Sequence, residues 1–289
     1  MAIESLSFLM QSGRESDLFD VIVKSDCIDR GTTREESIER MSALYAAMKR
    51  SAQGYDPSLR SASGMAGGDG RKMRSYLAAG RTIGGDFIAR VIAQALEMGE
   101  SNACMKCIVA APTAGSCGVL PAVLLPYQQR EGLDDEAMVR ALYVAGAIGQ
   151  VIAAKASIAG AAGGCQAEIG TASAMGAAAL CYLAGGDAQA VCHAAAMAIK
   201  SLLGLVCDPV AGLVEVPCVK RNAAGAMIAI SSADMALAGI RSAVPPDEVV
   251  LAMRDVGDKM DVSLRETCLG GVAGTPFGQA MSEKLQEEN

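Results

Sequence analysis

The sequence predicts an all-α protein, a single compact domain over residues 1–289 made of close-packed Ala/Gly-rich helices with glycine-rich loops between them. Apolar residues recur at helical spacing almost throughout. Strand signals amount to 21–23 and 119–125 at most. Aromatic residues make up only 3% of a chain that holds 32 glycines and abundant alanine, and small side chains let helix axes come close.

In chain order, the run after Thr33 carries a capping box, Thr33 with Glu36, and a stripe through Ile38, Met41, Leu44 and Met48. Residues 82–98 place Ile83, Phe87, Val91 and Leu96 on one side of a second helix. The next begins at Asp134, with acids in its first turn where the helix dipole favours them. Further helices are expected over 166–183, 187–205 and 220–242, and over 247–256 with Asp247 as N-cap after Pro245 and Pro246.

The 289 residues carry 25 Lys plus Arg against 32 Asp plus Glu, a net charge of -7, and are 51% hydrophobic. That composition excludes disorder and speaks against a nucleic-acid scaffold or a polybasic membrane patch. The two most apolar stretches, 144–165 and 223–240, are interrupted by Gln150 and Lys155 and by Ser231, Ser232 and Asp234. They read as buried helices, not membrane spans. The N-terminal segment has no basic region followed by a long apolar one, so a cytoplasmic location is expected.

Ten cysteines in a reducing compartment are not a disulfide framework. Cys27, Cys181 and Cys192 sit in apolar sequence and read as packing residues. Cys104 and Cys107 form a CxxC, but a zinc site needs a second pair, and the only histidine is His193 while Cys117 stands alone. No βαβ pattern surrounds them as a thioredoxin-type motif requires. His193 shares a helix face with Gln189 and Lys200, opposite Val191, Ala195, Ala198 and Leu202, and reads as solvated or subunit-facing.

Four segments break the helical rhythm: SASGMAGGDG (61–70), APTAGSCGVLP (111–121), GAAGGCQAEIG (160–170) and CDPVAGLVEVPC (207–218). Glycine-rich turns entering helices present unpaired amides that bind anions. Four of them in one chain suggest a shared site.

The same segments carry a resemblance. APTAGSCGVLP, GGCQAEIGTASAMGAAA, LLGLVCDPVAGLVEVPC followed by RNAAGA, and ETCLGG resemble the iron–sulfur-dependent L-serine dehydratases, over about residues 61–275. The chain length resembles that of the separate α subunit of the two-subunit bacterial form. The resemblance implies a [4Fe–4S] cluster and no pyridoxal phosphate, L-serine as substrate, pyruvate and ammonia as products, and a separate β subunit in a hetero-oligomer, or a homo-oligomer. It carries Cys165, Cys207 and Cys218 over as cluster ligands, three thiolates that leave one iron open. For the substrate carboxylate the first two segments offer Ser61, Ser63, Gly67, Gly68 and Asp69, with Thr113, Ser116 and Gly118. Lys72, Lys200 and a residue of the β subunit are the candidates for the base. Lys220 is disfavoured because relatives often carry an acid there. The C-terminal cysteine that some relatives place on the open iron has no counterpart in LQEEN, which leaves Cys268 as its substitute. The rival readings are a cluster-dependent L-cysteine desulfidase and a non-catalytic iron–sulfur sensor.

Overall fold

The computed structural model describes residues 3–287, and every regular element among them is helical. Three helices open the chain: α1 (Leu6–Ser12), α2 (Leu18–Arg30) and α3 (Arg34–Gln53). Then come α4 (Asp69–Ala78), α5 (Gly85–Ala103), α6 (Val119–Glu131), α7 (Asp135–Lys155) and the single turn α8 (Gly160–Gly163). The second half holds α9 (Thr171–Leu183), α10 (Ala188–Leu202), α11 (Cys218–Leu237), α12 (Pro246–Lys259) and α13 (Pro276–Glu287).

The Thr33–Glu36 capping box read from sequence forms, and two expected helix starts are capped by aspartates. Thr33 Oγ1 accepts from the Glu36 amide at 3.2 Å while Glu36 Oε2 accepts from the Thr33 amide at 3.1 Å. Asp134 and Asp187 accept from the amides of Ala137 and Ala190 at 2.8 and 2.7 Å, starting α7 and α10.

Both expected strands are helical. Residues 21–23 lie inside α2, and 119–125 open α6. An apolar run buried on all sides reads alike in either conformation. Pro121 falls in the first turn of α6, where its missing amide has no helical partner to lose. The α3 stripe turns slightly from the expected line, burying Tyr45 and Met48 and leaving Leu44 exposed. Ile83 precedes α5 and is fully exposed. Asp247 is not the N-cap of α12, which begins at Pro246. It lies in the first turn and accepts from the amides of Leu6 and Ser7 at 3.0 and 2.8 Å and ion-pairs Lys155, tying α1 and α7 to α12.

The core centres on α9, whose residues from Thr171 to Cys181 are all buried among α6, α7, α10 and α11. Alanine and glycine permit this: a Cβ on Gly225 of α11 would lie 2.8 Å from Ile169 and from the Ser173 hydroxyl. One described helix, α7, is long and apolar enough to cross a membrane, and most of that stretch is buried in the core.

Burial alone would raise the Asp247 carboxyl, but the hydrogen bonds from Ser7 and Leu6 and the Lys155 ammonium outweigh it and hold its pKa below the usual range. A depressed carboxylate stabilises the fold above its unfolded pKa of about 3.9 and loses that contribution as pH falls through the folded value. Asp247→Asn should therefore lower stability at pH 7, and urea titrations of the two proteins should converge below about pH 4. A gap of constant size at all pH values would contradict the assignment.

Candidate active site

Helix ends and loops bring the four glycine-rich segments together. The Ser61 and Ser63 hydroxyls both donate to Glu215 Oε2, the former at 2.6 Å, which joins the first segment to the fourth. Thr113 Oγ1 donates to Glu168 Oε1 at 2.7 Å, joining the second to the third. The other Glu168 oxygen faces Cys207 Sγ at 4.0 Å, joining the third to the fourth. Asn222, in the second turn of α11, closes the set: its Oδ1 accepts from the Gly118 amide at 2.8 Å, and its Nδ2 donates to Gly115 O at 2.8 Å and Cys218 O at 2.9 Å.

The three cysteines singled out by resemblance reach this region from different places. Cys165 precedes a π-helical turn, Gln166–Gly170, that leads directly into α9. Such wide turns often mark functional sites because they re-aim side chains. Gln166 fastens the turn to the loop before Cys207, accepting from the Gly204 amide and donating to Met253 O, both at 2.9 Å. Cys207 lies in extended chain against the C-terminal segment: its amide donates to Leu264 O at 2.8 Å and its carbonyl accepts from the Glu266 amide at 2.7 Å. Cys218 opens α11.

All three thiols are buried, and Cys165 and Cys207 pack with Val119, Ile169 and Ala172. Burial pushes the Cys165 thiol up to about 11 and the Cys218 thiol to about 12, and raises Cys207 as well. Mutual repulsion adds to the rise at Cys207 and Cys218. Left to themselves, these groups stay protonated at neutral pH.

Among the described residues no three His, Cys, Asp or Glu side chains converge on a point as one metal ion would require. Thiolates bound to separate irons of a polynuclear cluster need no such convergence. A soft donor set of three buried thiols, with an apolar wall, suits such a cluster chemically.

Glu168 is the residue that sequence reading missed. It is the only charged residue between Lys155 and Asp187. Desolvation raises its pKa, with the Thr113 hydroxyl opposing and Glu266 adding to the rise. Gly160 exists to make room for it, since a Cβ there would lie 2.9 Å from Glu168 Oε2 and 2.7 Å from Cys207 Sγ.

The expected anion cradle is largely committed internally. The amides of Asp69 and Gly70 at the start of α4 donate to buried Glu100 at 2.6 and 3.3 Å, and the Tyr55 hydroxyl donates to the same carboxylate at 2.6 Å. Gly67 and Gly68 shape the turn leading to these donors, with φ of 129° and 81°. The Asp69 side chain pairs with Lys72 and Lys220 at 2.8 and 3.2 Å. Buried Ser116 lies 3.1 Å from Thr113 Oγ1 within its own loop. Ser63 and Thr113 are the hydroxyl donors that remain partly exposed.

The two lysine candidates for the base lie on different helices. Lys72 is exposed on α4, and Lys200 is exposed in the last turn of α10, where it acts electrostatically on His193. His193 Nδ1 accepts from the Ser242 amide at 3.2 Å, and burial lowers its pKa. Cys104 ends α5, Cys107 is exposed, and Cys268 Sγ lies beside Gly212 in the loop between Cys207 and Cys218.

This arrangement of buried thiols, a half-buried carboxylate and glycine-rich loops over a helical core belongs to a defined class. Residues 11–273 match the sequence profile of the serine dehydratase alpha chain, and the chain belongs to that family. It is 45% identical to the probable L-serine dehydratase alpha chain of Bacillus subtilis, across 92% of this chain and 89% of that one. It is 43% identical to the L-serine dehydratase alpha chain of Peptoniphilus asaccharolyticus, across 94% and 93%. The L-serine dehydratase TdcG of Escherichia coli is 44% identical across 62% of this chain but only 40% of its own length. The profile begins 50 residues before the span of about 61–275 over which the sequence resembles this family, taking in α2 and α3.

Asn222→Ala should orphan buried backbone groups and cost at least about 1–3 kcal/mol in urea denaturation. Asn222→Asp should not restore it, because a carboxylate there faces two carbonyls. Full stability in either variant would remove Asn222 from this role.

Proposed function

We propose that the protein converts L-serine to pyruvate and ammonia, with Cys165, Cys207 and Cys218 holding a [4Fe–4S] cluster. The observation that carries this reading is the gathering of three buried thiols beside Glu168 and the Thr113 loop, in a chain of the serine dehydratase alpha chain family. Its relatives are named L-serine dehydratases.

Loss of the Cα proton and the β-hydroxyl gives aminoacrylate, which tautomerises to an imine and hydrolyses to pyruvate and ammonia. When bound, the cluster would supply Lewis acidity for departure of a poor leaving group. The chain's own residues do the rest. The three cysteines give up protons that burial otherwise makes them keep, so cluster loading should weaken as pH falls. Ser63 and Thr113 offer hydroxyls to the substrate carboxylate, which competes for them with Glu215 and Glu168. Carboxylates already held by these hydroxyls are the reason to assign them that task. Gln166 and Asn222 hold the cysteine-bearing segments against the loop. The reading requires no pyridoxal phosphate, sets the enzyme in the cytoplasm where thiols stay reduced, and includes a β subunit. That partner is consistent with relatives named as alpha chains and with a TdcG of which the matched part is 40%.

Oxygen-free protein combined with a β subunit should form pyruvate from L-serine faster than it releases sulfide from L-cysteine. The reverse order would favour the desulfidase, and loading without turnover of either would favour a sensor. Cys165→Ser, Cys207→Ser and Cys218→Ser should each lose the cluster absorbance, because alkoxide is a hard ligand. Cys104→Ser and Cys107→Ser should keep it. Ser63→Ala and Thr113→Ala should retain iron yet lower kcat/KM by about ten- to a hundred-fold, the value of a hydrogen bond to a charged group. Unchanged kinetics in both would remove them from the site.

A further inference from the structure

We infer that Arg221 is the positioning residue of the cluster site, its guanidinium joining the segments that carry Cys207 and Cys218 and setting the charge, and with it the reduction potential, of the group the three cysteines hold. The inference rests on the cluster reading above.

Arg221 lies on α11, three residues after Cys218. Its Nη1 donates to Val206 O at 2.8 Å, on one side of Cys207. The same nitrogen meets Asp208 Oδ1, on the other side, at 2.8 Å. That second contact is an ion pair. The guanidinium charge acts on both Cys165 and Cys218 in the sense that favours thiolate. One side chain therefore ties the α11 start, three residues beyond Cys218, to both flanks of Cys207, and its charge also reaches Cys165.

The pair is enclosed, with side chains 17% and 3% exposed. A charge in such surroundings is weakly screened and acts at full strength on its neighbours. Asp208 is held in turn, its Oδ2 accepting from the Val272 amide at 2.7 Å, so the C-terminal segment backs the pair. The planar, multi-donor guanidinium suits a carbonyl and a carboxylate at once, where a lysine would serve as a point charge. Hydrogen bonds and net charge around a cluster are established determinants of its potential.

The test uses the full chain, reconstituted without oxygen, in four forms: wild type, Arg221→Gln, Arg221→Lys and Asp208→Asn. Iron and sulfide are assayed on each, and the midpoint potential is read by redox titration followed by electron paramagnetic resonance. Removing the cation should shift the potential negative, and removing the anion should shift it positive. Arg221→Lys should stay near the wild-type potential while holding less iron. A merely structural role gives no reason for opposite shifts. If Arg221→Gln holds no cluster, its loss alongside retention by Arg221→Lys and a positive shift in Asp208→Asn supports the inference. Unmoved potentials, or shifts of the same sign, in loaded variants overturn it. A wild type that takes up no iron or sulfide overturns the cluster reading itself, a result separate from the previous one.

Discussion

A carboxylate withdrawn from water has to be met by donors, and three carboxylates, Glu100 and Glu215 buried and Glu168 half-buried, fasten the loops of this protein to one another and to its helices. Glu100 collects two amides and a tyrosine hydroxyl at the start of α4. Glu215 collects two serine hydroxyls from the first loop, and Glu168 collects Thr113 from the second. Removal of any one frees a loop and strands its donors. The glycines of those loops are conformational necessities of the approach, as Gly160 shows where it leaves space for both Glu168 and Cys207.

Around this frame the electrostatics of the thiols is unfavourable by design of the fold. Three buried sulfurs cannot all ionise without compensation, since burial and mutual repulsion both oppose it. Arg221 is the cation that acts on two of them, and its charge is partly answered by Asp208. The proposed cluster completes the balance, because iron takes the place of the protons. Structure and chemistry meet here: the packing that buries the sulfurs also makes them poor thiolates on their own.

Much of the helical architecture was legible in the sequence, for local reasons. Thr33 with Glu36, Asp134 and Asp187 cap helices through atoms three residues away, so helix starts there can be read without tertiary context. The run 119–125 misled because full burial erases the periodicity that separates helix from strand. Asp247 misled because its carboxylate serves amides some 240 residues distant instead of its own helix. The site divides along the same line. The glycine-rich loops announced themselves, and the cysteines followed from motifs and not from spacing. Glu168 left one readable trace, a lone charge in a long neutral stretch, whereas Glu100 and Glu215 left none, since their partners are set by the fold.

The gathering of Cys165, Cys207 and Cys218 as a cluster site is tested most directly by the iron and acid-labile sulfide content of the chain purified without oxygen. Equal amounts of iron and sulfide, in the proportion of a [4Fe–4S] cluster and lost in Cys207→Ser but not in Cys107→Ser, are the predicted result. Protein that folds normally yet holds neither element under those conditions would contradict it.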